Sequence, residues 1–488
     1  MSVGRRLIGD TLIYGIALAV SRAVTFALLP VFTRVFTVAE YGSYDLATSL
    51  TRALFVPAVL GIDVGVALMV QQRDSVGQGR AVSSALTAQI AWAGLVTVAA
   101  LALAPQLSEL LFRDLDHASL IRLAVLFLAV LIVNNFAMAV LKWKREPWRY
   151  LALAIASSGL AAALSLYFVL VIQGGASGAL IGLSLGAGIC VPLAIVLLVP
   201  HLGGPISSDD MRDALRIGLP FSAVSAGEFV FPFLLRLILS STAGLAAVGV
   251  FGALNTICLG LTMVNDAFAS AWWPYMLSTE AHERAQGDTA AVMRLYAFFL
   301  IVLAAGLALL ARPLVTLLLG GGIYLEAAAV VAPLALAYWT KSIRQNVNVS
   351  LVLAKRNWAR AALNMLTLAV SLGLALPLTI QWGVEGAAWG FAGGEALGLA
   401  LQAGLMSWLF ALHVEMRAPA IMAIAFLALA AIEVALPVAS LAVGTLERAG
   451  LLTLFVAVLL LLRVAAPREL GAVARVVLRL ARPHAPHG

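Results

Sequence analysis

Charged side chains lie inside stretches of the sequence that are otherwise apolar over about 20 residues. Four of them are cations near the middle of such stretches: Arg22, Arg52, Lys341 and Arg344. A charge at the centre of a bilayer costs at least about 2.5–3.5 kcal/mol, so each needs a counter-charge or a hydrated cavity. Arginine binds phosphate groups through paired hydrogen bonds. These residues therefore predict a cavity that binds an anionic, phosphate-bearing substrate.

Four carboxylates in stretches of the same kind form a second set: Asp45, Asp63, Glu228 and Asp266. Asp45, Arg52 and Asp63 follow one another at spacings of 7 and 11 residues, which places them on one face of a helix. A buried carboxylate of this kind can take up a proton or Na⁺, or it can gate a pathway. The alternative is that each charged side chain forms an ion pair whose only role is to hold two helices together, and this explains Asp45 equally well.

Asp63 and Arg52 are separated by about 16 Å along a helix axis, which is too far for direct contact. Asp63 must then face another helix or water. We predict that, in the outward-facing state, it closes the inner end of the cavity by pairing with a cation of the other half of the molecule, for example Arg344. An ion pair within its own half is the alternative.

The composition places these charges in a membrane. The chain has 488 residues, of which 62% are hydrophobic and 11% charged, with a mean hydropathy of +1.01. Soluble domains carry about 25% charged residues, so a soluble enzyme, a nucleic-acid-binding protein and a disordered chain are excluded. The net charge of +7 is what basic cytoplasmic loops produce. The sequence therefore predicts an all-α polytopic membrane protein, because helices satisfy their own backbone hydrogen bonds in lipid.

Fourteen apolar runs, from 8–31 to 447–465, are each long enough to cross a bilayer. With the N-terminus inside, 21 of the 31 Lys and Arg residues fall in inside loops, 6 in outside loops and 4 within runs. Such a bias orients helical membrane proteins. We expect about fourteen transmembrane helices with both termini cytoplasmic, and we interpret the first run as a retained helix rather than a cleaved signal peptide.

The sequence contains an internal repeat with an offset of about 207 residues. The segment 41–44 (Tyr-Gly-Ser-Tyr) matches 248–251 (Val-Gly-Val-Phe). The glycines at 178, 182 and 186 match those at 386, 390 and 394, and the basic turn at 144–148 resembles that at 355–358. Equivalent positions are six helices apart, and because six is even the two halves share one orientation in the membrane.

The repeat divides the chain into four parts. Helices 1–6 form an N-lobe at 1–205 and helices 7–12 a C-lobe at 206–415, with a pathway expected between them. Helices 13 and 14, at 416–466, lie outside the repeat. The remainder, 467–488, places its arginines on one face of a predicted amphipathic helix, which suits an anionic membrane surface. A solvated basic tail is the alternative for this last part.

No constellation of a catalytic or metal-binding type competes with the intramembrane charges. The six histidines lack a metal-ligand spacing on a helix face, and the two cysteines, Cys190 and Cys258, lie in apolar runs. A Gly-rich phosphate loop followed by Lys-Ser or Lys-Thr is missing, which disfavours direct use of ATP. We therefore expect a protein that is not an enzyme and has no cofactor, driven by H⁺ or Na⁺ coupling or by the membrane potential.

The segment Leu29-Pro-Val-Phe-Thr-Arg34-Val-Phe-Thr-Val-Ala-Glu40-Tyr41-Gly42-Ser-Tyr44, between helices 1 and 2, resembles the opening of bacterial polysaccharide flippases. These belong to the multidrug/oligosaccharidyl-lipid/polysaccharide (MOP) superfamily, and the resemblance extends to the two lobes and the extra C-terminal helices. It implies translocation of a polyprenyl-diphosphate-linked oligosaccharide across the bacterial cytoplasmic (inner) membrane, for lipopolysaccharide O-antigen, capsule or exopolysaccharide assembly. In the similar lipid II flippases, helices 13 and 14 form a groove for the lipid tail.

The resemblance also implies partners: the lipid-linked oligosaccharide, membrane lipids, and a polysaccharide polymerase with its assembly proteins. Transport would proceed by alternating access, with one lobe rocking against the other. Two alternatives stay open. A cation-coupled multidrug exporter of the same superfamily would require an anionic cavity and usually has twelve helices. An integral-membrane polymerase or glycosyltransferase would require a large outer loop, whereas the longest here, about 105–118, is too short for a domain.

Overall fold

The computed structural model describes residues 3–277, 286–354, 356–410, 414–435, 441–462 and 464. These residues are helical almost throughout and contain no strand. Nine helices among them, or ten if a bent pair counts as one span, are long and apolar enough to cross a membrane. The protein is therefore an all-α polytopic membrane protein, as its composition predicts. The predicted tail at 467–488 and the turn residue Lys355 lie outside the described residues.

The N-terminal half folds as six helical passes, two of which are interrupted. One is bent by 46° between two helices, and another continues as a single span through a change of helix at Cys190. The helices are α1 Val3–Val35, α2 Val38–Val59, α3 Ile62–Gln72, α4 Ser75–Ala102, α5 Ala104–Phe112, α6 Ala118–Trp143, α7 Pro147–Leu170, α8 Gly175–Ile189 and α9 Val191–Leu198, which a 3₁₀ turn at Val199–His201 follows.

The C-terminal half contains two helices that are too long for one crossing, with 51 and 54 residues. Each breaks at a glycine of positive φ, Gly244 (φ 84°) or Gly383 (φ 56°), where the chain turns back. The helices are α10 Ser208–Cys258, α11 Gly260–Leu277, α12 Gln286–Leu309, α13 Ala311–Leu319, α14 Ile323–Glu326, α15 Val331–Val347, α16 Val349–Leu353, α17 Asn357–Phe410, α18 Arg417–Ala435 and α19 Leu441–Leu461, with a 3₁₀ turn at Ala328–Val330.

Dividing α10 and α17 at these glycines gives six passes in the second half as well. With α18 and α19, the described residues form fourteen passes, which agrees with the number of apolar runs. The predicted boundary at 205/206 falls between α9 and α10, and that at 415/416 between α17 and α18.

The glycines of the repeat have the same structural role in both halves. In each half two antiparallel passes cross so closely that a Cβ at the glycine would collide with the facing backbone or side chain. The contacts are Gly182 with Ser165, Gly186 with Ala161, Gly390 with Ala375 and Gly394 with Ser371. Small residues permit such close helix packing in membranes, where van der Waals contact drives association.

The first repeated motif lies where the two lobes meet. A Cβ on Gly42 of α2 would strike the carbonyl of Leu245, and a Cβ on Gly249 of α10 would strike the carbonyl of Val38. Gly42 and Gly249 are equivalent in the repeat, and they contact each other. Equivalent positions that touch lie near the axis relating the two halves. Two backbones approach this closely only where both residues lack a side chain.

The break in the second pass lies at Leu60 and Gly61, one turn beyond Pro57, a residue type that favours helix kinks. Both residues adopt left-handed conformations, with φ of 50° and 71°, which ends α2 and restarts the chain as α3. A Cβ on Gly61 would collide with the carbonyl of Gly218 in α10. Gly61 therefore permits both the left-handed turn and the close contact with the C-lobe.

An ion cluster ties the start of α10 to the N-lobe. Asp210 is buried and accepts hydrogen bonds from Arg73 Nη1 at 2.7 Å and from Arg80 Nε at 3.0 Å. Burial raises the pKa of Asp210, but the hydrogen bonds from the two arginines outweigh it and hold the pKa below its usual value. The carboxylate is therefore ionised at neutral pH, and the cluster stays intact.

Candidate functional site

A polar cavity of about 250 Å³ lies inside the C-lobe, between α10, α11, α15 and α17. Its lining includes three carboxylates and three cations, so its formal charges cancel. The sequence predicts a predominantly cationic cavity between the lobes, whereas this one is lined by the C-lobe alone. Its charged residues are Glu228, Asp266, Glu395, Lys341, Arg344 and Arg360.

Arg344 is fully engaged with protein groups. Its Nε donates to Glu395 Oε2 at 2.8 Å, its Nη2 to Glu395 Oε1 at 3.3 Å, and its Nη1 to Asn364 Oδ1. The two charged side chains are 7% and 6% exposed. Arg344 therefore pairs within the C-lobe in this structure, and its predicted pairing with Asp63 in the outward-facing state stays a prediction.

Arg22 links the two lobes. On α1, it forms an ion pair with Asp266 of α11, and its Nη1 donates to Thr262 Oγ1 at 2.9 Å. The arginine and aspartate side chains are each about one third exposed (36% and 32%), and Asp266 lines the cavity. Two residues that the sequence assigns to different roles thus form one pair at the edge of the cavity.

Arg52 and Lys341 have no counter-charge in contact with them among the described residues. Neither forms a hydrogen bond or ion pair with any residue in the part of the chain that the structure describes. Arg52 is exposed on α2, a helix that packs against α10 of the C-lobe. It therefore lies at the junction of the lobes. Lys341 lines the same cavity as Asp266.

Asp45 pairs across the lobes with an arginine that the charge count places in an outside loop. Arg236 is instead buried within α10, and its Nε donates to Asp45 Oδ2 at 2.6 Å. The guanidinium also lies 5.7 Å from the ring centroid of Phe251 and donates to the carbonyl of Pro232. The count misplaces Arg236 because it stands at the end of an apolar run, and only the facing helix supplies its counter-charge.

The other two predicted carboxylates accept hydrogen bonds from amides. Asp63 accepts from Asn135 Nδ2 at 3.2 Å and from the backbone N–H of Val64 at 2.9 Å, all within the N-lobe. Glu228 accepts from Gln345 Nε2 at 2.6 Å, within the C-lobe. Among the residues described, neither carboxylate has a cation as a direct partner.

Sequence reasoning misses one polar face of the cavity, on the first half of α17. Arg360, Asn364, Thr367 and Ser371 follow one another at spacings of 4, 3 and 4 residues, and all four line the cavity. That spacing is a helical stripe, the same signal that identifies the stripe on the second pass. It is overlooked because Arg360 is counted with the inside loop that precedes it.

The sequence was compared with protein-family models. Residues 31–328 match the model described as "Polysaccharide biosynthesis protein", which covers more than half of the chain. The chain belongs to the polysaccharide biosynthesis protein family. A search among curated protein sequences gave no match.

Three solved structures resemble this member of the family. The lipid II flippase MurJ, in an inward closed conformation, aligns with a TM-score of 0.73 at 12% identity, over 92% of this chain and 98% of that one. An inward-facing MATE family multidrug resistance transporter of the MOP superfamily aligns with a TM-score of 0.62 at 16% identity, over 78% and 96%. A MOP superfamily transporter from Pyrococcus furiosus, reported to have a binding pocket of reverse polarity, aligns with 0.55 at 13%, over 80% and 93%.

The likeness to these structures establishes the MOP superfamily fold. Together with the family match, it makes this chain a multi-pass membrane protein of the polysaccharide biosynthesis family with the fold of these transporters. In proteins of this fold two lobes can rock against each other. The ion pairs Arg22–Asp266 and Asp45–Arg236 therefore lie where such a movement would act.

Proposed function

We propose that the protein flips a polyprenyl-diphosphate-linked oligosaccharide from the cytoplasmic to the outer leaflet of the bacterial inner membrane, for assembly of a surface polysaccharide. The observation that carries the proposal is Arg52, an exposed intramembrane cation at the lobe junction with no counter-charge among the described residues. A diphosphate supplies that counter-charge. Family membership supports a polysaccharide precursor as substrate.

The two C-terminal helices support a lipid-linked substrate over a drug. The alignment with the MurJ flippase covers 92% of the chain and that with the MATE transporter 78%. Helices α18 and α19 pack on α12 and are joined by an ion pair between Glu433 and Arg448 at 2.9 Å. Their apolar outer surface, with Ile424, Leu446 and Leu461 exposed, suits a polyprenyl tail that remains in the hydrocarbon.

Alternating access requires contacts between the lobes that can break, and two hydrogen bonds support this role. At one end of the bundle Arg34 donates to the carbonyl of Leu317 at 2.6 Å, and Arg113 donates to the carbonyl of Ser241 at 2.9 Å. Both bonds join the N-lobe to the C-lobe. The charge bias assigns this end to the periplasm and the Asp210 cluster with Arg73 and Arg80 to the cytoplasmic end. In the proposed cycle, the bonds of Arg34 and Arg113 break when the head group is released to the outside, and the Asp210 cluster breaks when it enters from the cytoplasm.

We assign energy coupling to the two carboxylates that have no cation partner among the described residues. Asp63 and Glu228 accept only amide hydrogen bonds, so either can take up a proton or Na⁺ without breaking an ion pair. Asp45 and Asp266 are held by Arg236 and Arg22. We assign these two to gating between the lobes.

Arg52→Ala should reduce transport at least tenfold, the equivalent of about 1.4 kcal/mol, because a charge-assisted hydrogen bond to the diphosphate is lost. Arg52→Lys should recover only part of the activity, since the bidentate guanidinium is missing. The measurement is flipping of a labelled lipid-linked sugar in proteoliposomes, supported by polymer export from cells. Arg122→Ala is the matched control, because Arg122 is also exposed and has no ion pair among the described residues.

Full activity of Arg52→Ala would remove Arg52 from the site. The class of function is tested separately by deleting the gene. Loss of a flippase traps lipid-linked repeat units on the cytoplasmic face, whereas loss of a polymerase leaves them outside. Normal polymer together with lost drug resistance would instead indicate a multidrug exporter.

The orientation is tested by cysteine labelling in a variant without Cys190 and Cys258. Leu115→Cys and Trp382→Cys should react with an impermeant thiol reagent added from the periplasmic side, whereas Val76→Cys and Trp358→Cys should not. All four side chains are exposed in the structure, so accessibility reports the side of the membrane rather than burial. Labelling of Val76→Cys or Trp358→Cys from outside would reverse the proposed topology.

A further inference from the structure

Four side chains that line the C-lobe cavity carry buried polar atoms without hydrogen-bond partners among the described residues. They are Asn346 Oδ1, Asn348 Oδ1, Arg360 Nε and Ser371 Oγ, on residues that are 1%, 5%, 7% and 2% exposed. Folded proteins leave few such atoms unpaired, because each one destabilises the fold. Their concentration in one cavity indicates a ligand that completes their hydrogen bonds.

The charges that line the cavity favour neither a strongly anionic nor a strongly cationic ligand. Its three carboxylates and three cations balance, and Arg344 with Glu395 forms a closed pair. A diphosphate in the cavity would face the carboxylates, and a metal cation would face Lys341 and Arg360. The unpaired set contains two carbonyl acceptors, one N–H donor and one hydroxyl, so the ligand must both donate and accept.

The ring of Trp273 gives the cavity an apolar wall as well. The Arg360 guanidinium lies 6.0 Å from the centroid of Trp273, which lines the cavity, and 5.7 Å from that of Phe221. These rings hold Arg360 in place, since it has no hydrogen bond or ion pair to another side chain in the described chain. An aromatic face beside convergent polar groups matches a molecule with C–H groups on its face and hydroxyls at its edge.

We propose that this C-lobe cavity is a sugar-binding subsite, which recognises one hexose ring of the lipid-linked substrate. The inference rests on the proposed function and adds the location of sugar recognition. The ring's hydroxyls donate to Asn346 and Asn348 Oδ1 and accept from Arg360 Nε, while Ser371 Oγ does either. The diphosphate stays outside the cavity, toward Arg52. A site built to pair with hydroxyls discriminates strongly against ligands that lack them.

The test compares four lipids binding to the full-length protein in nanodiscs. One is undecaprenyl diphosphate, and the others are the same lipid carrying glucose, galactose or N-acetylglucosamine. We expect at least one sugar lipid to bind about tenfold more tightly than the bare diphosphate. Ser371→Ala and Asn348→Ala should each reduce that preference about three- to tenfold, as expected for one lost hydrogen bond.

The controls separate recognition from folding. Ser371→Ala removes an unpaired hydroxyl and should leave the melting temperature unchanged, so it carries the test even if Asn348→Ala fails to fold. Asn134→Ala is the matched control, because Asn134 is as deeply buried and also has an unpaired Oδ1, but it lies in the N-lobe on α6. It should leave the sugar preference unchanged.

The outcomes distinguish the subsite from the proposed function. If the wild-type protein binds none of the four lipids, the proposed function fails. If it binds them all equally, or if both cavity variants keep the full preference, the subsite is overturned while the flippase assignment stands. An equal loss of affinity for sugar-bearing and bare lipids in Ser371→Ala would also contradict the subsite, because the hydroxyl would then act on something common to all four.

Discussion

Glu395→Ala should destabilise the protein by about 3–5 kcal/mol, because it leaves the Arg344 guanidinium buried without a counter-charge. The pair is 7% and 6% exposed, so water cannot replace the lost carboxylate. Asn364 supplies only one neutral acceptor. The change is measured as the loss of melting temperature and of monodisperse protein in detergent. Glu385→Ala, an exposed carboxylate on the same helix, should change stability by less than about 0.5 kcal/mol.

The double variant Arg344→Met/Glu395→Leu decides the role of the arginine. Replacing a buried ion pair by apolar residues of similar volume is often neutral or stabilising, so its melting temperature should return to the wild-type range. If Arg344 contacts substrate, as the sequence predicts, transport by the folded double variant should still be lost. Full transport would show that the pair only holds α15 to α17, and an unchanged melting temperature in Glu395→Ala would contradict the pairing itself.

Asp45→Asn should have an effect of similar size at the sealed junction of the lobes. Arg236 is buried there and loses its anionic partner, which should lower the stability by about 3–5 kcal/mol, as for Glu395→Ala. Asparagine is chosen because Gly252 lies against the Asp45 carboxylate, which leaves no room for a larger side chain. Melting temperature and lipid flipping are measured together, since loosening this seal should reduce both.

The neutral double variant Asp45→Asn/Arg236→Gln should recover at least half of the lost stability, because no unpaired charge remains. Arg34→Ala is the control at the same end of the bundle. Arg34 is exposed and donates one hydrogen bond, to the carbonyl of Leu317, so its loss should change the melting temperature only slightly. A double variant no more stable than Asp45→Asn alone would show that the two residues are not coupled.

Several features of this protein follow from local sequence alone. Hydropathy over about 20 residues identifies membrane-spanning helices, so the all-α membrane class and the fourteen passes are predictable. The repeat is equally visible, because glycines at close helix crossings recur at 182 and 186, and again at 390 and 394. A charge inside an apolar run also stands out by itself, which is how Arg22, Arg52 and Arg344 are found.

The partners of those charges come only from the tertiary structure. Arg344 and Glu395 are 51 residues apart, and Asp45 and Arg236 are 191 apart. Helical periodicity gives the face on which a side chain lies, but the rotation and packing of helices from different parts of the chain determine what that face meets. The balanced charge of the C-lobe cavity is set in the same way. Helix packing also explains why Arg52 has no counter-charge: no helix in the described chain places a carboxylate within contact distance of it.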